Sequence, residues 1–311
     1  MTEHFPAARR PLLPAAGRSM LLLFMSVIFV FYVGGPVYWL FKTSIEPEAQ
    51  VAAVPPNWIP QDPTLFNFES IVSAGSEVTY ENRRQGDPAT GRFIPTGAKY
   101  LLPALWNSFF VGVAVAALNL LLSATAAYAI ALIHFRGRRF TLYTILVTRV
   151  IPDIALIVPL FLLLRNFGLI NTKAALITTY LAVTVPFTIF ILINYFQSVP
   201  AELYKAARID GCSHLGVLRH VYLPLAMPAV VASLMFAFLT SWNEFLFALM
   251  LTQNIQAQTL PIIISGFALD FTVSFSFLNA AGVIAIVPPV VLAILFERYI
   301  VSGLTAGAVK G

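Results

Sequence analysis

Six apolar stretches, each about twenty residues or longer, constrain this 311-residue chain more than any other feature of its sequence. A bilayer core about 30 Å thick needs about 20 apolar residues of helix to cross it, and backbone groups in lipid must be satisfied within the segment. We therefore predict an all-α integral membrane protein with six transmembrane helices. The predicted spans are 20–41, 106–133, 140–164, 174–196, 223–251 and 277–296.

The composition excludes other classes of protein. The chain is 59% hydrophobic and 11% charged, against about half and about a quarter in soluble domains, and disorder needs the opposite balance. A single cysteine, Cys212, excludes an intrachain disulfide framework and a multi-cysteine metal cluster. The net charge of +5 does not indicate a nucleic-acid partner, because most basic residues lie at the ends of apolar stretches.

Basic residues also predict the orientation of the spans, because they are enriched in cytoplasmic connections. The segment before span one, the connections between spans two and three and between spans four and five, and the segment after span six fall on one side. Their basic residues are Arg9, Arg10, Arg18, Arg136, Arg138, Arg139, Lys205, Arg208, Arg219, Arg298 and Lys310. We expect a multi-pass protein of the cell inner membrane with both termini cytoplasmic. A cleaved signal peptide is the alternative for span one, but its length and the lack of a small-x-small site oppose it.

The predicted organisation has five parts. They are a cytoplasmic N-terminal tail (1–19), the first transmembrane helix (20–42), an external segment (43–102), a core of five transmembrane helices (103–300) and a cytoplasmic C-terminal tail (301–311). Proline and glycine divide the external segment into turns, with one short helix predicted at 65–72. Two interpretations of this segment stay open: a packed cap, or a docking surface for a soluble partner.

The cytoplasmic connection 197–222 differs from the others because it predicts a helix-turn-helix. Pro200 is typical of a helix start, where Ser198 is available as a cap, and Gly211 is typical of a helix end. Ser213 is expected to cap a second short helix. In the first helix, Leu203, Ala206, Ala207 and Asp210 follow at three- and four-residue spacing and are predicted to share one face. Such a pair suits a membrane protein that a soluble partner moves; an amphipathic pair at the membrane surface is the alternative.

This connection resembles the EAA loop of the membrane subunits of ABC importers. The resemblance lies in Glu202, Ala206, Ala207, Asp210 and Gly211, followed by Leu-Pro at 223–224. The segments RVIP (149–152), SWNEFLF (241–247) and the C-terminal GLTAGAVKG (303–311) are similar to the second permease of maltose-type sugar importers. The external segment is longer than in many such permeases.

The resemblance implies a type I importer permease fold and a set of partners. These are a homologous permease subunit, two ATPase subunits that use ATP and Mg, and an extracytoplasmic solute-binding protein. The five residues of the EAA loop would contact the ATPase, and Gly307, Lys310 and Gly311 of the tail would reach toward the ATPase dimer. The loop 252–259, with Gln253, Asn254 and Gln256, would probe the sugar cleft of the binding protein. Solvation of a surface loop is the alternative for these amides.

Polar residues within the predicted spans are candidates for the pathway or a subunit interface, because charges in a bilayer are costly. Arg149 and Asp153 are four residues apart and are predicted to pair on one helical face, either as a neutralised packing pair or as substrate contacts. Glu244, beside Asn243, has no partner at a fixed spacing and is expected to face a subunit interface or the pathway.

Three functions follow from these observations. The first is a non-enzymatic permease subunit of an ABC importer for a carbohydrate; the second is such a permease for another solute, such as an amino acid or a phosphodiester. The third is a secondary transporter or channel without an ATPase. The chain has no G-x-x-x-x-G-K-[ST] motif, no metal-ligand spacing of histidines and no catalytic constellation, so we predict that it binds no cofactor and that ATP hydrolysis belongs to another polypeptide.

Overall fold

The structure is a computed structural model that describes residues 15–73, 94–95, 97–268 and 274–308, with side chains described for 19–299 of these. The described residues form helices joined by turns, with no strand among them. The helices are α1 Ala15–Ser44, α2 Glu48–Val51, α3 Phe66–Ser73, α4 Leu101–Leu132, α5 Arg138–Thr148, α6 Asp153–Asn166, α7 Lys173–Ser198, α8 Ala201–Ile209, α9 His214–Val217, α10 Leu223–Leu225, α11 Met227–Trp242, α12 Leu246–Leu251, α13 Leu260–Phe267 and α14 Phe275–Ala308. A π-helical turn, Leu218–Tyr222, joins α9 to α10.

Four of the predicted spans are continuous helices: α1, α4, α7 and α14 are each long and apolar enough to cross a membrane. Two further spans are present as bent helix pairs, so the described residues hold between four and six spans, depending on how each pair is counted. The short helix predicted in the external segment is confirmed as α3.

The third span is not the single helix that the sequence predicts. It consists of α5 and α6, which meet at an angle of 99°. Pro152 lies between them with an extended backbone (φ −61°, ψ 134°). A proline disfavours the helical conformation of the residue before it and lacks the N–H that a helix interior needs. The break follows from these two effects.

The fifth span is also divided, contrary to the continuous helix predicted for 223–251. The helical segment His214–Leu225 meets Met227–Trp242 at 88°, and α11 ends at Trp242, before α12 begins at Leu246. With 16 residues, α11 is about 24 Å long, which is less than a bilayer core. The prolines near the start of α10 and α11 occupy the first turns of these helices, where a missing N–H costs nothing.

The centre of the bundle is the packing of α4 against α7, which a buried polar cluster fixes. The side-chain amide of Asn119 donates to the hydroxyl of Thr188 at 2.8 Å, and Ser123 donates to Asn119 at 3.0 Å. All three side chains are fully buried. Hydrogen bonds of this kind hold transmembrane helices together in the absence of water.

The helix α11 packs on the other side of α4 through a close approach. A Cβ atom added at Gly112 would lie 2.8 Å from the ring of Phe238, so only glycine leaves room for this ring. Phe238 in turn stacks on Trp242, with ring centroids 5.5 Å apart. These contacts make α4, α7 and α11 one packed unit.

The helices α1 and α14 pack together beside this unit, and the segment after α1 joins them. Lys42 lies 2.6 Å from Glu46 in a buried ion pair at the end of α1. The carboxylate of Glu48 then accepts hydrogen bonds from the backbone N–H groups of Phe275 and Ser276 and from the hydroxyls of Ser274 and Ser276. This carboxylate caps the N-terminus of α14, where the helix dipole favours a negative charge.

Candidate functional site

The bundle has two ends. We call the end that carries α8 and α9 the helix-pair end, and the end that carries the loop 252–259 the loop end. Each holds one set of the residues that the sequence singles out, and a third set lies at the breaks in the spans.

The helix pair has the predicted helix-turn-helix geometry. The helix α8 ends at Ile209, and Gly211 adopts the left-handed conformation (φ +86°) that reverses the chain. The backbone N–H of Cys212 donates to the carbonyl oxygen of Ala207 at 3.0 Å and closes the turn. The hydroxyl of Ser213 accepts from the N–H of Gly216 at 3.1 Å and caps α9. The turn and second cap are therefore confirmed.

The predicted cap at Ser198 is wrong. Ser198 is the last residue of α7, and its hydroxyl donates to the carbonyl oxygen of Tyr195 at 2.8 Å. The chain then becomes extended at Val199, the residue before Pro200, as the proline requires. Pro200 takes the N-cap position of α8, and no side chain caps that helix.

The predicted common face of α8 is divided between the bundle and the outside. Ala207 is buried against the bundle, whereas Leu203, Ala206 and Asp210 are exposed. Only one of the two alanines is therefore available for close approach by another molecule. The exposed residues of the pair also include the rest of the EAA pattern and two further large apolar side chains, namely Glu202, Gly211, Ile209 and Leu215.

An aromatic cluster lies between the helix pair and the bundle. Tyr222 contacts the rings of Tyr128 in α4 and Phe196 in α7, with ring centroids 5.6 and 5.5 Å away. Tyr204 of α8 stacks on His214 of α9, with centroids 6.4 Å apart. The hydroxyls of Tyr128 and Tyr222 are buried and have no hydrogen-bond partner among the described residues. Packing, rather than hydrogen bonding, joins the pair to α4 and α7.

The residues predicted for the C-terminal tail are only partly described. Gly307 lies in the last turn of α14, which continues to Ala308. Lys310 and Gly311 lie outside the described residues.

At the other end, the loop 252–259 is held by side chains from two distant parts of the chain. The amide of Asn107 in α4 donates to the carbonyl oxygens of Gln256 and Gln258, at 2.8 and 3.0 Å. The Oδ1 atom of Asn171, in the turn before α7, accepts from the N–H groups of Gln253 and Asn254, at 2.5 and 2.8 Å. The loop backbone therefore has fixed anchors at both ends.

The predicted binding-protein residues of this loop remain on its outside. The side chains of Gln253, Asn254 and Gln256 are exposed. Because the anchors bind backbone atoms of the loop, its own amide side chains stay available for another molecule. The helix α13 follows the loop and, with eight residues, is too short to cross a membrane.

Glu244 lies at the break between α11 and α12, and it has partners that the sequence does not indicate. Its carboxylate accepts from the hydroxyl of Tyr180 at 2.7 Å and from the backbone N–H groups of Phe247 and Ala248 at 2.8 and 3.0 Å. The charge therefore satisfies the free donors of the first turn of α12. The neighbouring Asn243 is exposed, and its amide donates to the carbonyl oxygen of Leu239 at 2.9 Å.

Arg149 and Asp153 do not form the predicted pair on one helical face, because Arg149 follows the end of α5 and Asp153 begins α6, beyond the break at Pro152. Arg149 instead donates to the carbonyl oxygen of Val183 at 2.9 Å. Asp153 lines a cavity of about 100 Å³ together with Glu244 and others. The other residues lining this cavity are Ile157, Tyr180, Val183, Thr240, Leu246 and Phe247.

Sequence reasoning missed Tyr180, Asn107 and Asn171, which hold the break and the loop. A signal is present for Asn107, since an amide within an apolar stretch needs a partner. Asn171 has a positive φ of 64°, and asparagine before a helix is typical of a turn. Nothing in the sequence distinguishes Tyr180 from the other aromatic residues of its span.

The bundle of apolar helices, with a helix pair at one end and an anchored polar loop at the other, is that of a multi-pass membrane protein with an exposed surface at each end. Residues 120–305 match the family of the binding-protein-dependent transport system inner membrane component. The chain belongs to this family. It is therefore a membrane component of a binding-protein-dependent transport system.

Curated relatives cover most of the chain. It is 35% identical over 276 residues to the sulfoquinovosyl glycerol transport system permease protein SmoH of Agrobacterium fabrum, covering 89% of this chain and 88% of the relative. It is 32% identical to the trehalose transport system permease protein SugB of Mycobacterium tuberculosis, covering 95% and 99%. The trehalose/maltose transport system permease protein MalG of Thermococcus litoralis is 38% identical over 208 residues, covering 67% and 75%.

A solved structure shares the fold. It is the crystal structure of a bacterial ABC transporter involved in the import of the acidic polysaccharide alginate. One of its chains superimposes with a TM-score of 0.75 at 21% identity, covering 94% of this chain and all of that one. This confirms the predicted type I importer permease fold.

Proposed function

We propose that this chain is the permease subunit of an ABC importer for a carbohydrate and forms half of its translocation pathway with a homologous permease. The helix pair carries this proposal, because it is a preformed element at one end of a family member and its outer face has no cover among the described residues. The substrate class follows the relatives, whose names refer to trehalose, maltose and sulfoquinovosyl glycerol.

The helix-pair end is the cytoplasmic end in this proposal, and both termini are cytoplasmic. Glu202, Ala206, Asp210 and Gly211 lie on the face that contacts an ATPase subunit, while Ala207 fixes that face to the bundle. Gly307, Lys310 and Gly311 reach toward the two ATPases, which use ATP and Mg. We keep the domain limits predicted from the sequence, in which a core of 103–300 lies between the external segment and the C-terminal tail.

The loop end then faces the solute-binding protein, which presents the sugar to Gln253, Asn254 and Gln256. Asp153, Asn243 and Glu244 lie at the breaks of the third and fifth spans, where irregular backbone at membrane depth is tolerated only within protein or beside a water-filled cavity. Arg149 supports the same region through α7. We place the pathway or the permease–permease interface at these breaks.

Movement of the helix pair reaches the pathway through rigid contacts. The aromatic cluster of Tyr128, Phe196 and Tyr222 joins the pair to α4 and α7, and Tyr180 of α7 binds Glu244 at the break of the fifth span. ATP-driven closure of the ATPases would thus displace the pair and, with it, the helices that line the break. Two permeases moving in this way alternate between outward- and inward-facing forms.

Purification of the chain from its native membrane tests the transport proposal. We expect ATPase subunits and a second permease to copurify, and we expect uptake in vesicles to require ATP. Uptake without ATP, and no copurifying ATPase, would instead identify a secondary transporter or channel.

Thermal unfolding of the associated binding protein tests the substrate class. A panel of disaccharides and other sugars is compared with a panel of amino acids and phosphodiesters, because selectivity begins with this protein. We expect the largest rise in melting temperature with a sugar. Stabilisation by amino acids or phosphodiesters alone would overturn the carbohydrate proposal and leave the ABC permease in place.

A further inference from the structure

The loop 252–259 has a backbone that other parts of the chain hold in place. Its preceding residue Leu251 accepts a hydrogen bond from the backbone N–H of Asn171 at 2.9 Å. Its following residue Leu260 donates to the hydroxyl of Ser108 at 2.8 Å. Between these points, Asn107 and Asn171 bind four backbone atoms of the loop itself. An eight-residue polar connection is rarely fixed this closely without a reason.

The two asparagines act with opposite polarity. Asn107 is buried and uses both hydrogens of its amide nitrogen, one for each of two loop carbonyls. Asn171 uses only its oxygen, which accepts from two consecutive loop N–H groups. An aspartate preserves the acceptor of Asn171 and removes the donors of Asn107. The same substitution therefore has opposite consequences at the two positions.

The anchors also belong to one rigid unit. Asn107 lies in α4 and Asn171 lies directly before α7, and these two helices are joined by the buried cluster around Asn119. The loop consequently keeps its position relative to α4 and α7, while its side chains Gln253, Asn254 and Gln256 stay exposed.

We infer that Asn107 and Asn171 are positioning residues that hold the loop in its docking conformation before the binding protein arrives. This inference rests on the proposed function and adds to it the residues that set the affinity for the loaded binding protein. Ordering a flexible backbone costs conformational entropy, so a loop that is already ordered avoids most of this cost when it binds. Loss of an anchor should then weaken docking more than it slows transport at saturation.

The test uses the assembled transporter in lipid nanodiscs and the binding protein of the same system, loaded with the sugar that stabilises it most. ATPase activity is measured against the concentration of loaded binding protein for Asn107→Asp, Asn107→Ala, Asn171→Ala and Asn171→Asp. Asn166→Asp is the matched control, because Asn166 is exposed at the end of α6, on the loop end of the bundle.

We expect the half-saturating concentration to rise about tenfold in Asn107→Asp, Asn107→Ala and Asn171→Ala, with the maximal rate changed less than about twofold. Asn171→Asp should remain close to the wild type, because a carboxylate accepts both N–H groups and aspartate tolerates a positive φ. A residue that serves only the stability of the fold would lower the maximal rate or the yield of complex instead, and the Asp variant would not rescue it.

Hydrogen exchange gives a second measurement that needs no partner. The N–H groups of Gln253 and Asn254 should exchange at least about tenfold faster in Asn171→Ala than in the wild type, and should stay protected in Asn171→Asp. The inference is overturned if Asn171→Asp behaves like Asn171→Ala, or if loop exchange accelerates while the half-saturating concentration stays constant. A wild-type ATPase that no loaded binding protein stimulates would instead refute the proposed function, and the exchange measurement would still test the anchors.

Discussion

The two ends of the bundle are held by different forces. At the loop end, side chains from α4 and from the turn before α7 form hydrogen bonds with the backbone of the loop. At the break of the fifth span, the carboxylate of Glu244 binds Tyr180 and the start of α12. At the helix-pair end, aromatic rings pack on one another, and two buried tyrosine hydroxyls have no hydrogen-bond partner among the described residues. Hydrogen bonds fix the direction of a group, whereas close ring packing passes a displacement of one segment on to its neighbours.

The difference in packing gives each end of the bundle a surface suited to a different kind of partner. The loop end presents polar side chains from a fixed backbone, which suits recognition of a hydroxylated solute or of the protein that carries it. The helix-pair end presents a small surface with exposed Leu203, Ala206 and Ile209, which suits a partner that covers and displaces it. The predictions below test this contrast.

The largest effect is expected for a charge on the outer face of the helix pair. Ala206→Glu should reduce ATP-dependent uptake more than about thirtyfold, because an unpaired charge buried in an interface costs about 2 kcal/mol or more. Copurification of the ATPase should fall in parallel, while insertion of the chain in the membrane stays normal.

Ala201→Glu is the matched control for that substitution. Ala201 is also exposed on α8, but it lies about 140° around the helix axis from Ala206, and a carboxylate suits the first turn of a helix. It should retain most of the uptake. An equal loss in both variants would contradict the assignment of the face.

The next effect tests whether packing alone supports the helix pair. Tyr222→Ala removes a fully buried ring from between Tyr128 and Phe196, and should destabilise the chain by about 3–5 kcal/mol. Denaturation by SDS in mixed micelles measures this cost. A decrease of less than about 1 kcal/mol in the free energy of unfolding would show that the aromatic cluster does not support the helix pair.

Removal of a single tyrosine hydroxyl should change the free energy of unfolding differently at the break of the fifth span and at the helix-pair end. Tyr180→Phe leaves the carboxylate of Glu244 without one donor and should cost about 1–2 kcal/mol. Tyr222→Phe removes a buried hydroxyl that has no hydrogen-bond partner among the described residues and should be neutral or stabilising by up to about 1 kcal/mol. The same SDS titration compares them, and equal destabilisation in both variants would contradict the difference between hydrogen bonding at the break and ring packing at the helix-pair end.

The smallest effect concerns the turn of the helix pair. Gly211→Ala should cost about 1 kcal/mol, because an alanine is strained at a φ of +86°. Apart from Gly211 and its two chain neighbours, no heavy atom of the described residues lies within 4 Å of the added Cβ, so no clash adds to this strain. Gly211→Asn should cost less, since asparagine visits this conformation; a larger loss for Asn than for Ala in the SDS titration would contradict the explanation.

Much of the fold could be predicted from the sequence, because apolar stretches and turn-forming residues are local features of the chain. Long apolar stretches predict α1, α4, α7 and α14, and glycine and serine at 211 and 213 predict the turn and the cap of the helix pair. The break at Pro152 was accessible by the same local rule, since proline disfavours a helical residue before it. The prediction missed this break because the apolar stretch is long enough to be counted as one continuous span.

The rest depends on contacts between residues that are far apart in the chain. The hydrogen bond between Glu244 and Tyr180 joins residues 64 positions apart in the chain, and the hydrogen bond between Asn107 and Gln256 joins residues 149 positions apart. No spacing rule within one helix predicts such pairs. The burial of Ala207, in contrast to Ala206, likewise depends on where the bundle lies beneath α8.

The most direct test of the central claim is a crosslink from the outer face of the helix pair. Cys212 is first replaced by serine, and Ala206→Cys then carries a short photoactivatable crosslinker in native membranes. The account predicts a crosslinked product that contains an ATPase subunit and whose yield changes when ATP is added. Products that contain only lipid, with and without ATP, would contradict it.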